Sequence, residues 1–425
     1  MLRSLFRTLP IALRLRIGSI IDLTSLFFRR IGRASLYIQK DLVRHVVGQP
    51  SEDVFFGYYD LDPFSNGNRK ILAHIVPLNA NPNFTPAVLA TYDFDTKKFD
   101  RFSTSNAWSW QLGSRLQWID GGVGYNDIKG KDSIFMIVDP VTRITLNEIP
   151  APIYALSYET NLGLGLNFHR LQRLRPGYGF HARLDSTAGC PLPEEGIYAV
   201  DMLTNTKYPF VSLPDIAKLP WPDENPPEVK PGTQHYLNHL SICPAGESFI
   251  VFHLFVLNGV RRSRAVFGKI NGDGLIVLTN VNETPSHYSW GSKNTLLLTS
   301  FRNHTEATYI VFDIENGIRK TLSVDCLNED GHPTILRHYP NWCITDTYPD
   351  AKYREQRLKL VNLHTGECQL LASSFSHLDY RGEKRCDLHP RISADASAIA
   401  FDSPHQGKRS IVVIRDGMLN SSQLG

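Results

Sequence analysis

A chain of 425 residues, 42% of them apolar, carries enough hydrophobic side chains for a sizeable core, and its formal net charge is only +3. The charge is uneven: residues 1 to 50 hold nine Lys or Arg against Asp22 and Asp41, which leaves 36 basic and 40 acidic residues in the rest. That balance excludes nucleic acid as a partner of the main body.

The chain opens on "MLRSLFRTLPIALRLRIGSIIDLTSLFFRRIGR", with Arg3, Arg7, Arg14 and Arg16 ahead of an apolar stretch from Ile17 to Phe28 that Asp22 interrupts. The stretch is too short to span a bilayer, and neither an unbroken apolar run nor a small-residue cleavage site marks an export signal. Residues 1–50 read as a basic amphipathic helical segment, suited either to an anionic membrane surface or to packing as a cap on the main domain. The expected location is the cytoplasm, peripheral on the inner face of the membrane if the helix binds lipid. Six cysteines, at 190, 243, 326, 343, 368 and 386, are irregularly spaced and are expected as reduced thiols.

After residue 50 helical periodicity is weak and one shape recurs: a polar head, a short strand, a turn, then a strand that ends in a polar residue. In chain order it appears as "DLDPFSNGNRKILAH" from Asp60, "RLQWIDGGVGYND" from Arg115, "ALSYETNLGLGLNFHR" from Ala155 and "HLSICPAGESFIVFH" from His239. "HYSWGSKNTLLLTSFR" from His287, "HPTILRHYPNWCITDTYPD" from His332 and "HPRISADASAIAFDS" from His389 complete seven. Each unit is followed by a further pair of strands, as in "ATYIVFDIENGIRKTLS" and "IVVIRDGML". Four short antiparallel strands repeated seven times predict an all-β, seven-bladed β-propeller over residues 51–425. Spacing is irregular, with a long insertion between the third and fourth units, and the Pro-rich run from 213 to 234 reads as a long loop.

In a propeller the innermost strand of each blade lines the central channel. The heads, Asp60, Arg115, Ala155, His239, His287, His332 and His389, therefore form a ring about the axis, and four consecutive blades offer imidazole to one place. The ends of the second strands add His74, Asn126, Asp127, His169, Arg170, His253, Arg302, Asp346, Asp402 and His405. Such a polar, titratable funnel binds small charged ligands or metals. A single His before a turn is more often a turn residue bonded to nearby backbone, but four in register are not explained that way. Tyr58, Tyr59, Trp108, Trp110 and Trp118 read as core or blade-packing aromatics.

The heads "SHYSW", "GHP" and "CDLHPRIS" resemble those of the oligogalacturonate lyases and, more distantly, the ulvan lyases, with the strand-turn-strand repeat of TolB-like propellers, over roughly residues 54 to 415. Those lyases are seven-bladed propellers that cleave uronate-containing chains by β-elimination. The resemblance implies a metal held by His389 and by His332 on the preceding blade, with Cys386 in place of the family's Gln and Arg391 in place of its final His. It also implies His287 as the base. The chemistry needs a cation to neutralise the uronate carboxylate, a base for the C5 proton and an acid for the departing oxygen. His287 and His239 are the base candidates and Tyr178, in "RLRPGYGF", the acid. Arg262 and Arg264, alternating on one strand face, are candidates to hold the carboxylate.

The metal site is expected to combine Cys386, His389 and His332, with His287 completing it or standing beside it. A thiolate with two or three imidazoles suits zinc better than manganese. The expected activity is that of a polysaccharide lyase acting on an anionic oligo- or polysaccharide. The alternative is a non-catalytic propeller that binds a glycan or protein partner in a carbohydrate biosynthesis pathway.

Overall fold

The computed structural model describes residues 24, 26, 28–226, 228–291 and 294–415. Strands of two to ten residues, separated by turns with Gly or Asn at positive φ, assemble into seven antiparallel sheets, so the chain is a seven-bladed β-propeller. From the axis outward, blade one is Glu52–Phe55, Lys70–Pro77, Ala87–Asp93 and Lys98–Ser105, and blade two is Gln117–Ile119, Gly122–Lys129, Asp132–Val138 and Thr145–Ile149. Blade three is Ala155–Ser157, Leu162–Gly165, Ile197–Asp201 and Thr206–Val211; blade four is Tyr236–Ile242, Ser248–Leu257, Val260–Lys269 and Ile276–Val277. Blade five is Glu283–Trp290, Thr295–Arg302, Glu306–Asp313 and Ile318–Thr321. The seven units read from the repeats are the seven blades.

Blades six and seven differ because the N-terminal part of the chain completes them. Blade six, Thr334–Leu336, Tyr339–Asp346, Glu355–Asn362 and Cys368–Phe375, takes Leu36–Ile38 as a fifth, outer strand. Blade seven supplies Arg391–Ile392, Ala398–Ser403 and Ser410–Arg415, and Val43–Val47 pairs with the last of these as its fourth strand. The expectation of a helix throughout residues 1–50 is thereby corrected. Residues 24, 26 and 28–30 are helical, but residues 36–38 and 43–47 are strands, drawn into the ring by Leu42, buried in the cluster of blades six and seven, and Val47, buried in that of blades seven, one and two. Arg30 and Arg33 fix the entry by binding Glu355 at 3.3 and 2.8 Å. The rest of the basic segment lies outside the described residues.

Each blade is covered on both faces by its neighbours, which explains apolar runs without alternation, such as "SIVVI" in blade seven, buried from Ser410 to Ile414. The largest apolar cluster joins blades three, four and five, and others bridge blades six to seven and seven through two. The long insertion lies inside blade three, between Leu162–Gly165 and Ile197–Asp201. It carries helix α1 (Phe168–Leu174), capped by the Asn167 side chain, which accepts from the Arg170 N–H at 2.8 Å. The Pro-rich run begins with helix α2 (Leu213–Lys218), not loop, because Ser212 caps it and Pro214 stands in its first turn. The expectation of six reduced thiols is corrected at Cys326 and Cys368, which are bonded with Cα atoms 6.6 Å apart and tie the entry of blade six to its strand Cys368–Phe375.

If the N-terminal strands close the ring, the full chain keeps the outer strands of blades six and seven covered. A chain beginning at Ser51 exposes the edges of blades six and seven, melts at a lower temperature and self-associates. Thermal melts with size-exclusion chromatography distinguish the two, and equal behaviour of both chains contradicts the assignment.

Candidate metal centre in the propeller channel

The heads reach the axis through a local irregularity. Arg115, His239 and His389 stand at φ 57°, 54° and 47°, a left-handed conformation that costs a non-Gly residue energy. In blade four pairing skips between Asn238 and Ser241, so His239 is bulged out of the ladder and its side chain turns inward, whereas Arg115 and His389 precede the first paired residues of their blades. His287 follows a similar shift after Pro285, and His332 precedes the first strand of blade six. Blades four to seven thereby pass imidazoles from one to the next: ring centroids are 5.8 Å apart for His239 and His287, 4.0 Å for His287 and His332, and 4.4 Å for His332 and His389. Opposite them, Arg115 of blade two grips Asp60 of blade one with two bonds of 2.8 and 2.9 Å, so those two heads neutralise each other.

Tyr58 and Tyr59 occupy the middle of the channel, contrary to their reading as blade-packing aromatics. The Tyr58 hydroxyl lies 2.9 Å from His239 Nδ1 and its ring 4.8 Å from that of His389, while the Tyr59 hydroxyl donates to Tyr288 O at 2.8 Å. Arg391 holds this loop in place. Its Nε donates to Tyr58 O at 3.0 Å, another nitrogen donates to Gly57 O, and Asp402 accepts two further bonds at 3.1 and 3.2 Å.

Three donor atoms converge without partners. His332 Nδ1 donates to Asp346 at 2.8 and 3.0 Å, and His389 Nδ1 donates to Gly57 O at 2.9 Å. Each imidazole is thus oriented from behind, and both Nε2 atoms, together with Oδ1 of Asp387, are buried with no hydrogen-bond partner among the described residues. One ligand atom from each of His332, Asp387 and His389 lies within 4.8 Å of the other two. Burial holds His332 and His389 well below the usual imidazole range, helped by the closeness of a second imidazole that disfavours a shared accumulation of protons, that of His287 for the first and of His332 for the second, so both are neutral and able to coordinate. His239 is lowered in the same way, by burial and then by His287. Two neutral imidazoles and a carboxylate are a competent divalent-metal set.

Around this group the channel is polarised. Asp330 stands 3.4 Å from His287 Nδ1 and is fixed by the Ser286 hydroxyl at 2.7 Å and the Thr299 hydroxyl at 3.2 Å. On the solvent side are the half-buried Arg175, Arg385 and Tyr348. Arg385 donates to Asp387 Oδ2 at 2.6 Å and to the Tyr178 hydroxyl at 3.1 Å, and Arg175 lies 4.6 Å from the centre of the Tyr178 ring. Burial alone pushes the Tyr178 phenol up, but the Arg385 and Arg175 guanidiniums outweigh it and hold the group below the usual phenol range.

Of the residues singled out from sequence, His239, His287, His332, His389 and Tyr178 meet in the channel. Cys386 does not. In an extended segment alternate side chains share a side, so Asp387, not Cys386, is next to the site that its neighbours bracket, and the Cys386 thiol is buried elsewhere and raised by that burial. Arg264 is also displaced: its guanidinium is spent on the carbonyls of Leu219, Ile216 and Ala217 at 2.6 to 3.0 Å and on His253 Nδ1 at 3.1 Å. It anchors the C-terminus of α2. Arg262, part-exposed on the same third strand of blade four, is equally remote from the innermost strands. His169 and Arg170, expected in the funnel, sit on α1. Sequence reasoning placed Asp387 in the polar cluster that heads the last blade but gave the ligand role to Cys386, and it missed Asp330, Arg175, Arg385 and Tyr348; only the Asp387-x-His389 alternation offered a signal.

The sequence matches no family model and no curated protein. Among solved structures, an oligogalacturonate lyase from Vibrio parahaemolyticus aligns with a TM-score of 0.60 and 12% identity over 91% of this chain and 99% of that one. An oligogalacturonate lyase in complex with manganese aligns with a TM-score of 0.60 and 14% identity over 91% of this chain and 98% of that one. The chain shares the fold of these lyases. The resemblance read from the blade heads is thus matched at the level of architecture.

The neutral channel histidines make a pH prediction. The unfolded chain takes up protons near pH 6.5 and the folded chain does not, so stability is complete above that pH and falls as pH drops below it. The metal-free protein should lose about 1.4 kcal/mol per pH unit for each such histidine below about pH 6.5. Urea midpoints at pH 7.5, 6 and 5 check this, and a flat series contradicts it.

Proposed function

We propose that the channel is the centre of a polysaccharide lyase-like enzyme that cleaves an anionic, uronate-containing glycan by metal-assisted β-elimination. The convergence of the unpaired donors of His332, Asp387 and His389 carries this reading, and the fold shared with the oligogalacturonate lyases supports it. The donors fit a divalent ion. With Cys386 turned away the thiolate reason for zinc lapses; imidazole and carboxylate serve manganese as readily, the ion named for one of the solved lyases. A bound cation supplies positive charge beside the substrate carboxylate, which lowers the cost of the enolate-like anion.

The chain's own groups do the rest. Arg175 and Arg385, at the mouth, attract and orient the carboxylate in the place first given to Arg262 and Arg264. His287 takes the C5 proton, and Asp330 behind it stabilises the imidazolium that forms. Tyr178, its phenol made more acidic by two guanidiniums, returns a proton to the departing oxygen. His239, hydrogen-bonded to Tyr58, keeps the neutral side of the channel ordered and is the second base candidate.

A second reading rests on one observation. The channel histidines are only 1% to 3% exposed, which suits a non-catalytic propeller that binds a glycan or protein partner in a carbohydrate pathway with a metal as internal strut. Two features of the setting belong to the proposal as well. The Cys326–Cys368 bond favours an oxidising compartment over the cytoplasm. Contact of the basic segment around Arg3, Arg7, Arg14 and Arg16 with an anionic membrane surface is compatible with either reading.

Full-length protein loaded with Mn²⁺ or Zn²⁺ should raise the ultraviolet absorbance of polygalacturonate or another uronate polymer as unsaturated ends form. The rate should fall about 100-fold or more in His332→Ala, His287→Ala and Tyr178→Phe, and stay unchanged in Arg262→Ala. No rise on any uronate polymer with metal bound overturns the lyase reading in favour of the binding one.

A further inference from the structure

A large cavity lies outside the channel. It measures about 1060 Å³ and lies between blades two and three, walled by Ile134, Leu166, Phe168 and Ile197 and edged by Lys129 and Lys131. Two of its lining residues have a relation that packing alone does not require. Ser133, on the blade-two strand Asp132–Val138, places its Oγ 2.9 Å from Nε2 of His169, on helix α1 of blade three. The other ring nitrogen of His169, Nδ1, lies 2.7 Å from Phe180 O.

A carbonyl oxygen only accepts, so Nδ1 carries the proton. In the neutral imidazole Nε2 is then bare, and the hydrogen bond runs from the Ser133 hydroxyl to it. Burial pushes His169 below the usual imidazole range, which keeps it neutral near pH 7. The Phe180 ring, edge-on at 5.5 Å and 87°, fixes the imidazole plane. Nucleophile, base and orienting acceptor therefore stand in the order that activates a serine, with a backbone carbonyl in the place an acid takes in a triad. Both side chains are only partly buried and line the cavity, so an incoming group has access to them.

We propose that Ser133 and His169 are the nucleophile and base of a second active site, an acyl-ester hydrolase acting on esters of short carboxylic acids. Oγ attacks the ester carbonyl carbon while its proton passes to Nε2. The tetrahedral adduct collapses with loss of the alcohol, which leaves with the proton from Nε2, and Ser133 is left acylated. Water, its proton taken by Nε2, adds to the acyl-serine; the carboxylic acid departs and the proton returns to Oγ. The apolar wall receives the acyl chain; Lys129 is held by Glu148 at 3.0 Å, which leaves Lys131 at the edge to supply positive potential for the oxyanion.

The full chain should hydrolyse p-nitrophenyl acetate and butyrate, and a fluorophosphonate should add one phosphonyl group per chain, on the peptide that contains Ser133. Ser133→Ala, which removes a single oxygen, should abolish the label and cut ester turnover at least about 100-fold, and His169→Gln should slow both by a similar factor. Melting curves establish that each variant is folded. Absence of label on Ser133 in the folded wild-type chain, or equal turnover in folded Ser133→Ala, overturns the proposal. If His169→Gln does not fold, the label on the wild type and the Ser133→Ala rate decide it.

Discussion

The carboxylate of Asp346 is the constraint on which the channel depends. Buried where water does not reach, it accepts the backbone N–H of His332 at 2.8 Å, that of His389 at 3.0 Å, and the Nδ1 proton of His332. A buried carboxylate is costly unless its lone pairs are filled, and here they are filled only if blades six and seven stand at one spacing. The same bonds choose the His332 tautomer. Burial pushes the Asp346 carboxyl up to about 7; with it ionised Nδ1 donates, and Nε2 faces the axis with its lone pair free, beside that of His389, whose Nδ1 is occupied by Gly57 O. The orphaned atoms of the site are thus a consequence of satisfied bonds behind them.

That spacing is maintained from outside as well. Blade seven supplies three strands of its own and borrows Val43–Val47, so the ring is closed by pairing between the two ends of the chain. From the inside, Arg391 reaches across to Gly57 and Tyr58 of blade one, joining the last blade to the first around the axis. Disturbing the outer closure should therefore loosen the inner one. On the opposite side Asp60 and Arg115 cancel, leaving the titratable half of the channel to blades four through seven.

Much of this was legible because the repeat carries it. Four heads with His at one position identified the ring, and the physical reason is that each head stands at the inner end of its blade, turned inward by a break in pairing in blades four and five and by its place just ahead of the first strand in blades six and seven. What the repeat does not encode was lost. Cys386 and Asp387 are adjacent, and only the face alternation of an extended chain decides which of them accompanies His389. Arg262 and Arg264 look like a carboxylate clamp in sequence, but they lie on a third strand, where Arg264 serves the carbonyls of α2. Tyr58 and Tyr59 resemble core aromatics because they are as buried as core aromatics; their role comes from a loop threaded to the axis. Arg175 and Arg385 sit in an insertion and an inter-blade loop, outside the periodicity. The strands at residues 36–38 and 43–47 were hidden behind a basic, apolar segment whose composition suggests helix, and a strand pair formed with the far end of the chain leaves no local pattern.

The central claim is that His332, Asp387 and His389, not Cys386, hold a divalent cation. Equilibrium dialysis of metal-free full-length protein against Mn²⁺ and, separately, Zn²⁺ tests it most directly when done in parallel on the wild type, Cys386→Ala and Asp387→Asn. The account predicts one ion per chain in the wild type and in Cys386→Ala, and a loss of about 10- to 100-fold or more in affinity in Asp387→Asn. Retention of the ion by Asp387→Asn together with its loss from Cys386→Ala would contradict it.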